Sequence, residues 1–176
     1  GAVEPMDAWT DREVDETFAT KRDGAGTASS ATSLSLYVAY IASSTTSEQY
    51  LEIIRAFALF NTASIPDADV ISAVTLTILG TAKTNALGTP QAAITVSAPA
   101  STSSIANSDF NIANWSTTTI LAPLIEYAGW SATADNIITF NADGRTAISK
   151  TGITKLGFRV EWDRANSTTG LTWSSA

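Results

Sequence analysis

The stretch Tyr50–Leu79, YLEIIRAFALFNTASIPDADVISAVTLTIL, decides the fold of this chain. Two apolar runs, Tyr50–Asn61 and Val70–Leu79, flank a short segment that carries Pro66 and Asp67. Aliphatic, β-branched and aromatic residues dominate both runs, which is typical of strands. Proline followed by aspartate is typical of a turn. The stretch therefore predicts two core strands joined by a loop.

Short apolar runs of similar length recur along the rest of the chain. Alternation of apolar and polar residues predicts further strands at 14–21, 33–42, 92–98, 118–121, 124–128, 136–141 and 156–162. In the last of these, Leu156 and Phe158 are predicted to face the core while Gly157 and Arg159 face outward. A short helix is predicted at 142–152, and a single helical turn is predicted to begin near Ser108. Eight to ten short strands with one or two short helices predict an all-β, two-sheet β-sandwich of jelly-roll type.

The domain organisation follows from length and from the first residues. Residues 1–12 are polar and irregular, and we expect them to form an extended N-terminal arm. The chain has 176 residues, enough for one buried core, and shows neither a linker nor an internal repeat. We therefore expect residues 13–176 to form a single β-sandwich domain.

Charge argues against two classes of partner. The net charge is −7 and the pI is near 4.4, so the chain lacks the basic stripe that binds phosphates or an anionic membrane surface. No apolar run reaches the roughly 18 residues that a membrane-spanning helix requires. We expect no nucleic-acid partner and no membrane span.

The chain contains no Cys and no His, which removes thiol nucleophiles, Ser-His-Asp triads and thiolate or imidazole metal sites. Carboxylates of the type used in glycoside hydrolysis are present, such as Glu161 and Asp163. Nothing in the sequence sets two of them at a catalytic separation, so a structural role is favoured. We expect the protein not to be an enzyme.

Composition points to the cell exterior. Only 15% of residues are charged, against a usual share of about 25%, and Ser and Thr make up about a quarter of the chain. That bias is common in surface proteins, so we expect an extracellular location: cell surface, secreted filament or virion. Two tripeptides, beginning at Asn114 and Asn166, match the N-glycosylation sequon, although such matches often arise by chance.

An acidic cluster near the N-terminus is the candidate metal site. Asp11, Glu13 and Asp15 offer oxygen ligands of the kind that Ca²⁺ prefers, so a structural Ca²⁺ is the one cofactor that the sequence suggests. The spacing does not match an EF-hand loop. A solvated strand edge is the alternative interpretation, and the pattern favours it.

Two tryptophans are candidate ligand-binding residues. Trp9 and Trp130 lie outside the periodic runs, and Trp130 lies in the loop AGWS. Their rings suit either stacking against a glycan or contact with another subunit. Anchoring to the core is an equally good interpretation.

The sequence of Ile53–Ile78, together with Ala147–Asp163, resembles the DNRLRE-type jelly-roll modules of large bacterial and archaeal surface proteins, with similar domains in uncharacterised phage and metagenomic proteins. The matching positions are Arg55, Phe60, Pro66, Ser72, Ala73, Leu76 and Ile78. The resemblance implies an extracellular jelly roll with an architecture like that of carbohydrate-binding modules, and no catalytic residues. Asn61 stands where such modules usually have Asp, and the usual closing strand of Pro-x-Leu-x-Val-x-Tyr type is absent.

Two interpretations of the absent closing strand are open: the sequence is cut short, or the sandwich has an unfilled sheet edge, which a neighbour's strand would complete. We therefore expect a structural subunit of an extracellular or virion assembly, a filament or pilus-like polymer, that self-associates through β-edge or donor-strand pairing. The alternative is a carbohydrate-binding module of a cell-surface protein, with a glycan as its partner.

Overall fold

The computed structural model describes residues 6–31, 39–43, 46 and 48–169. Within them the chain forms nine strands: β1 (Met6–Thr17), β2 (Ala28–Ser30), β3 (Ala39–Ala42), β4 (Gln49–Asn61), β5 (Thr75–Leu79), β6 (Gln91–Val96), β7 (Ile125–Glu126), β8 (Asp135–Thr139) and β9 (Ile153–Val160). The helices are α1 (Phe18–Asp23), α2 (Ala142–Thr146) and α3 (Glu161–Ala165), with 3-10 turns at Asn107–Phe110 and Ile112–Asn114.

Strand β4 is the centre of the larger sheet. Strand β1 pairs along its whole length on one side, from Met6 opposite Leu59 to Thr17 opposite Gln49. On the other side β3 pairs with the first half of β4, and β9 pairs with the second half. Seven consecutive residues of β4, numbers 53–59, are buried because both faces of the strand are covered. The strand predicted at 50–61 is confirmed.

The strands form two antiparallel sheets of unequal size. The larger has seven strands in the order β2-β1-β4-β9-β6-β7, with β3 also pairing β4. The smaller contains only β5 and β8. The all-β prediction with few, short helices is confirmed at this level.

Both faces of the larger sheet are covered. Successive strand residues point to opposite faces. On one face Ala56 and Ala58 of β4 pack with Phe158 and with Ile138 of the smaller sheet. On the other face Phe57 and Leu59 pack with Trp115 and Ile105, which lie in the irregular segment that follows β6. The sheet therefore has an apolar core on each side.

Residues Met6–Arg12 depart from the predicted N-terminal arm at 1–12, since each of them pairs with a residue of β4. The first strand predicted at 14–21 is wrong in its bounds, because β1 begins at Met6 and α1 begins at Phe18. The buried face of β1 carries Ala8 and Thr10, both 0% exposed. Small and polar residues of this kind give no apolar alternation, so the pattern did not mark them as a strand.

Several other predicted elements are shorter or absent. The strand predicted at 70–79 begins only at Thr75, and Val70 before it is 89% exposed. The helix predicted at 142–152 ends at Thr146, and 118–121 contains no strand. The strand predicted at 156–162 ends at Val160, where α3 begins. Most of the strand predicted at 33–42 lies outside the described residues, which include only Ala39–Ala42 of it.

The predicted outward face of β9 is wrong. Gly157 and Arg159 are buried, because the segment that contains Trp115 covers that face of the sheet. A Cβ atom at Gly157 would lie 2.7 Å from the Trp115 ring, so only glycine fits there.

Candidate functional site: an apolar groove beside a free strand edge

An apolar groove of about 500 Å³ lies between the two sheets. That volume is within the range of small-molecule and peptide pockets. Its lining comes from the end of β4, from β9, from the first half of β5, from the loop that joins β4 to β5, and from one residue each after β8 and after α2. The lining residues are Phe60, Asn61, Thr62, Ile65, Ile71, Ala73, Val74, Thr75, Leu76, Phe140, Ile148, Thr154 and Leu156.

The loop between β4 and β5 forms one wall of the groove and is held at two places. The Lys150 ammonium donates to the carbonyl oxygens of Asp67 and Asp69, the latter at 3.0 Å. At the base of the loop the hydroxyls of Thr62 and Thr154 lie 2.7 Å apart in a hydrogen bond. These contacts hold the predicted turn around Pro66 through the backbone carbonyls of its two acidic residues.

One edge of β5 has backbone groups that no strand of the described residues pairs with. Phe140 N–H donates to Val74 O, and Gly80 N–H donates to Ala134 O, both at 3.0 Å. Because hydrogen-bonded and non-hydrogen-bonded residues alternate in antiparallel strands, the even-numbered residues of β5 face β8. The backbone groups of Thr75, Thr77 and Leu79 therefore point away from β8. Among the described residues, no strand pairs with that edge.

The two candidate ligand-binding tryptophans are both half-buried and lie apart from the groove. Trp9 lies on β1 and packs against the core cluster of Ala56 and Phe158. Trp130 follows β7 in a turn, where its backbone N–H donates to Glu126 O at 3.1 Å. The groove is instead lined by the sequence stretch that decides the fold.

The candidate metal ligands have different environments. Asp11 is 5% exposed, and its Oδ1 accepts hydrogen bonds from Thr27 Oγ1 and Ala28 N–H, both at 2.9 Å. Glu13 and Asp15 are exposed, with an irregularity in the β1 register between Glu13 and Glu16. Among the residues with described positions, no group of three or more acidic side chains is arranged to hold a metal ion.

The two sequon asparagines lie at the ends of short helical turns. Asn114 is half-buried, and its Nδ2 donates to Ser108 O at 3.3 Å. Asn166 is exposed and ends α3 with φ 52°, a left-handed conformation that asparagine tolerates. Of the two side chains, Asn166 is the more accessible.

The structure brings together Asp11 and Glu52, a pair that the sequence did not suggest. Glu52 lies directly opposite Glu13 in the β1–β4 register. Burial raises the pKa of Glu52 to about 7, and the negative charges of Asp11 and Glu13 and a hydrogen bond with Asp11 add to the effect. Glu52 is thus largely protonated below neutral pH, in contrast to an ordinary carboxyl group.

The raised pKa of Glu52 predicts a pH-dependent stability. The folded state binds this proton more tightly than the unfolded state, where the value is 4.5, so stability falls as pH rises from about 4.5 to about 7. We expect Glu52→Gln, which keeps a donor toward Asp11, to flatten this fall in stability. At pH 8 the variant should be more stable than the parent protein by only about 1 kcal/mol, because solvent screens the charge of a half-buried carboxyl group. Urea unfolding of both proteins between pH 4 and 8 measures the effect. Parallel curves for the two proteins would contradict it.

A buried charge cluster was also missed in the sequence. Arg55 is fully buried and makes a two-pronged ion pair with Asp163, with Nε–Oδ2 at 2.8 Å and Nη2–Oδ1 at 2.7 Å. Its guanidinium also stacks on the Phe110 ring at 4.0 Å. Burial alone raises the pKa of Asp163, but the charge and hydrogen bonds of Arg55 outweigh it and leave that pKa lowered. The cluster joins β4 to α3 beneath the segment that covers the sheet.

No family model, curated protein or solved structure matches this chain. Within the ranges that the structure describes, no helix is long and apolar enough to cross a membrane.

Proposed function

We propose that the chain is a structural subunit of an extracellular or virion assembly, and that copies associate when a strand of one subunit pairs with the free edge of β5 in the next. The architecture we assign is a jelly-roll β-sandwich whose smaller sheet is completed in the assembly. Repetition of one such contact generates a filament unless rotation closes it into a ring. The proposal includes no catalytic step.

One observation carries the proposal: the apolar groove opens beside the unpaired edge of β5. Thr75 and Leu76 of β5 line it, together with Phe140, which directly follows β8. A strand that paired with β5 would place alternate side chains toward the groove, whose lining includes Phe60 and Leu156. Backbone hydrogen bonds would supply affinity, and the groove would supply side-chain specificity.

The unequal sheets support the same interpretation. The smaller sheet has two strands, β5 and β8, whereas the larger sheet has seven. A strand added beside β5 would therefore extend the smaller sheet. A free apolar edge also favours association of copies over a monomer.

Thr77→Pro tests strand addition at this edge. Thr77 N–H faces away from β8, so proline removes a donor needed by an incoming strand without removing a β5–β8 bond. We expect at least about tenfold weaker self-association, measured by light scattering after size exclusion and by negative-stain imaging.

Thr77→Val is the matched control, because it changes the side chain and keeps the N–H; we expect it to associate like the parent protein. A parent protein that is well folded and strictly monomeric at high concentration would refute the proposed function. Equal association of the proline and valine variants would refute the β5 edge as the contact.

A carbohydrate-binding module is the second candidate, and it is favoured by one aromatic turn. Tyr127 and Trp130 are both half-buried in the turn after β7, and the Lys83 ammonium lies 4.9 Å from the Tyr127 ring. Aromatic rings with a nearby donor suit a glycan. A glycan array on which the parent protein binds and Trp130→Ala does not would favour this candidate.

A further inference from the structure

A strand added beside β5 would lie over β4 and β1 of the larger sheet. On the β8 side, Asn141 N–H donates to Leu121 O at 2.9 Å, and Leu121 N–H donates to Ile94 O in β6 at 2.8 Å. On the β5 side, the groove is lined by Phe60 of β4. Because β9 lies between β6 and β4, the smaller sheet extends from above β6 toward β4, and the next strand position continues toward β1. Trp9 of β1 lies on this face of the sheet and is only half-buried.

This position suits an extended segment better than the β5 edge of a second copy. Two β5 strands that paired antiparallel would be related by a two-fold axis perpendicular to the smaller sheet. Both larger sheets would then lie on the same side of the combined smaller sheet, where β4 and β1 of the two copies would compete for the same space. A segment without an attached sheet has no such conflict. We therefore expect the occupant to be an extended stretch of chain.

The last residues of the sequence supply such a segment. The described residues end at Thr169, and the seven residues GLTWSSA follow it. Leu171 and Trp173 alternate with Thr172, which is the period of a strand with one apolar face, and the segment contains no charged side chain and no proline. Seven residues are enough to pair with the five residues of β5. Residues 1–5, GAVEP, are a poorer match, because they offer one valine together with a glutamate and a proline.

The last described residues lie at the opposite end of β9 from the groove. Trp162 of α3, which follows β9, donates from its Nε1 to Thr169 O at 3.0 Å. The groove is lined by Thr154 and Leu156, near the first residue of β9. The eight residues of β9 separate these two ends by about 23 Å. A segment that leaves one end of a domain and binds at the other end joins copies head to tail, which is the contact that repeats along a filament.

We propose that residues 170–176 of one copy form the strand that pairs with β5 of the next copy, with Leu171 and Trp173 directed into the groove. The proposal rests on the proposed function and names the strand that completes the smaller sheet. Phe60, Ile71 and Leu156 make the lining apolar, so the groove suits one aliphatic and one aromatic side chain.

Self-association of the full chain tests the C-terminal segment. We expect Leu171→Ser combined with Trp173→Ser to weaken self-association at least about a hundredfold, because two large apolar side chains lose their burial. Light scattering after size exclusion measures the association, and circular dichroism checks that the variant folds. Thr172→Ser is the matched control, because alternation directs Thr172 away from the groove, and we expect it to associate like the parent protein.

A mixture of two variants makes the test specific. Thr77→Pro loses the β5 edge and keeps the C-terminal segment, whereas the double serine variant loses the segment and keeps the edge. At a concentration where the parent protein associates, we expect each variant alone to be monomeric and the mixture to form a one-to-one heterodimer that grows no further. A synthetic peptide GLTWSSA should block association of the parent protein, and the same peptide with serine in place of leucine and tryptophan should not.

The results distinguish failure of this proposal from failure of the proposed function. A strictly monomeric parent protein would refute both. Unchanged association of the double serine variant, or a mixture that stays monomeric, would refute the C-terminal segment and leave the β5 edge as a contact for another strand. Stronger association of the double serine variant would mean that the segment closes its own domain, which also refutes the proposal. If that variant does not fold, the peptides decide: equal effects of the two peptides would overturn the proposal.

Discussion

Asp163→Asn is expected to destabilise the protein by about 3 to 5 kcal/mol, the range measured when one partner of a buried ion pair is removed. Asp163 is fully buried and is the shared partner of Arg22, Arg55 and Arg159. Asparagine retains the shape and one acceptor oxygen but loses the negative charge. Arg55 would then stay in the interior beside an amide that donates toward its own donors.

Guanidinium unfolding followed by circular dichroism measures this loss, and the neighbouring carboxylate Asp23 supplies a matched control. Asp23 also pairs with an arginine, Arg22, at 2.6 Å, but its side chain is 54% exposed. We expect Asp23→Asn to cost less than about 1 kcal/mol, since exposed pairs contribute little. If the two variants were equally stable, Asp163 would not hold the cluster together.

The pattern of the sequence predicted where β4 and β9 lie better than it predicted which of their faces are buried. The strand at 50–61 was predicted because both of its faces are apolar, and the strand order then places it at the centre. In β9 the alternation of Leu156 and Phe158 with Gly157 and Arg159 predicted a solvent-exposed outer face. That face is instead covered by the segment around Trp115, which has no strand period of its own.

The candidate sites depended on contacts that local pattern does not encode. Arg55 and Asp163 are separated by 108 residues, so neither residue identified the other as its partner. The acidic cluster was recognised by composition, but its buried member, Asp11, accepts hydrogen bonds from the β2 side and pairs with Glu52. The expectation of an incomplete sheet came from the family resemblance, and the groove beside β5 is where we now propose that completion occurs.

The second large effect is expected for Trp115→Ala, with a loss of about 3 to 5 kcal/mol. The Trp115 ring is 4% exposed, and its centroid lies 4.3 Å from that of Phe57. It covers Gly157, and its Nε1 donates to Asp109 O at 3.0 Å. Alanine would leave a cavity above Gly157 and remove the donor to a buried carbonyl. The free-energy cost of the lost apolar burial therefore adds to the cost of the lost hydrogen bond.

Two variants separate the contribution of the Trp115 ring to stability from the contribution of its indole N–H. Trp115→Phe keeps an aromatic ring against Phe57 and loses the donor, and we expect it to cost about 1 to 3 kcal/mol, the desolvation penalty of an unsatisfied carbonyl. Trp130→Ala removes an equally large but half-buried ring and should cost clearly less than Trp115→Ala. Equal losses for the two alanine variants, measured by the same unfolding experiment, would mean that Trp115 does not seal this face.

Because Trp115 also lies 5.9 Å from Arg55 and from Arg159, its removal should expose both guanidinium groups to water. Asp163→Asn should therefore cost less in the Trp115→Ala background than in the parent protein, and this non-additivity would link the ring to the charge cluster.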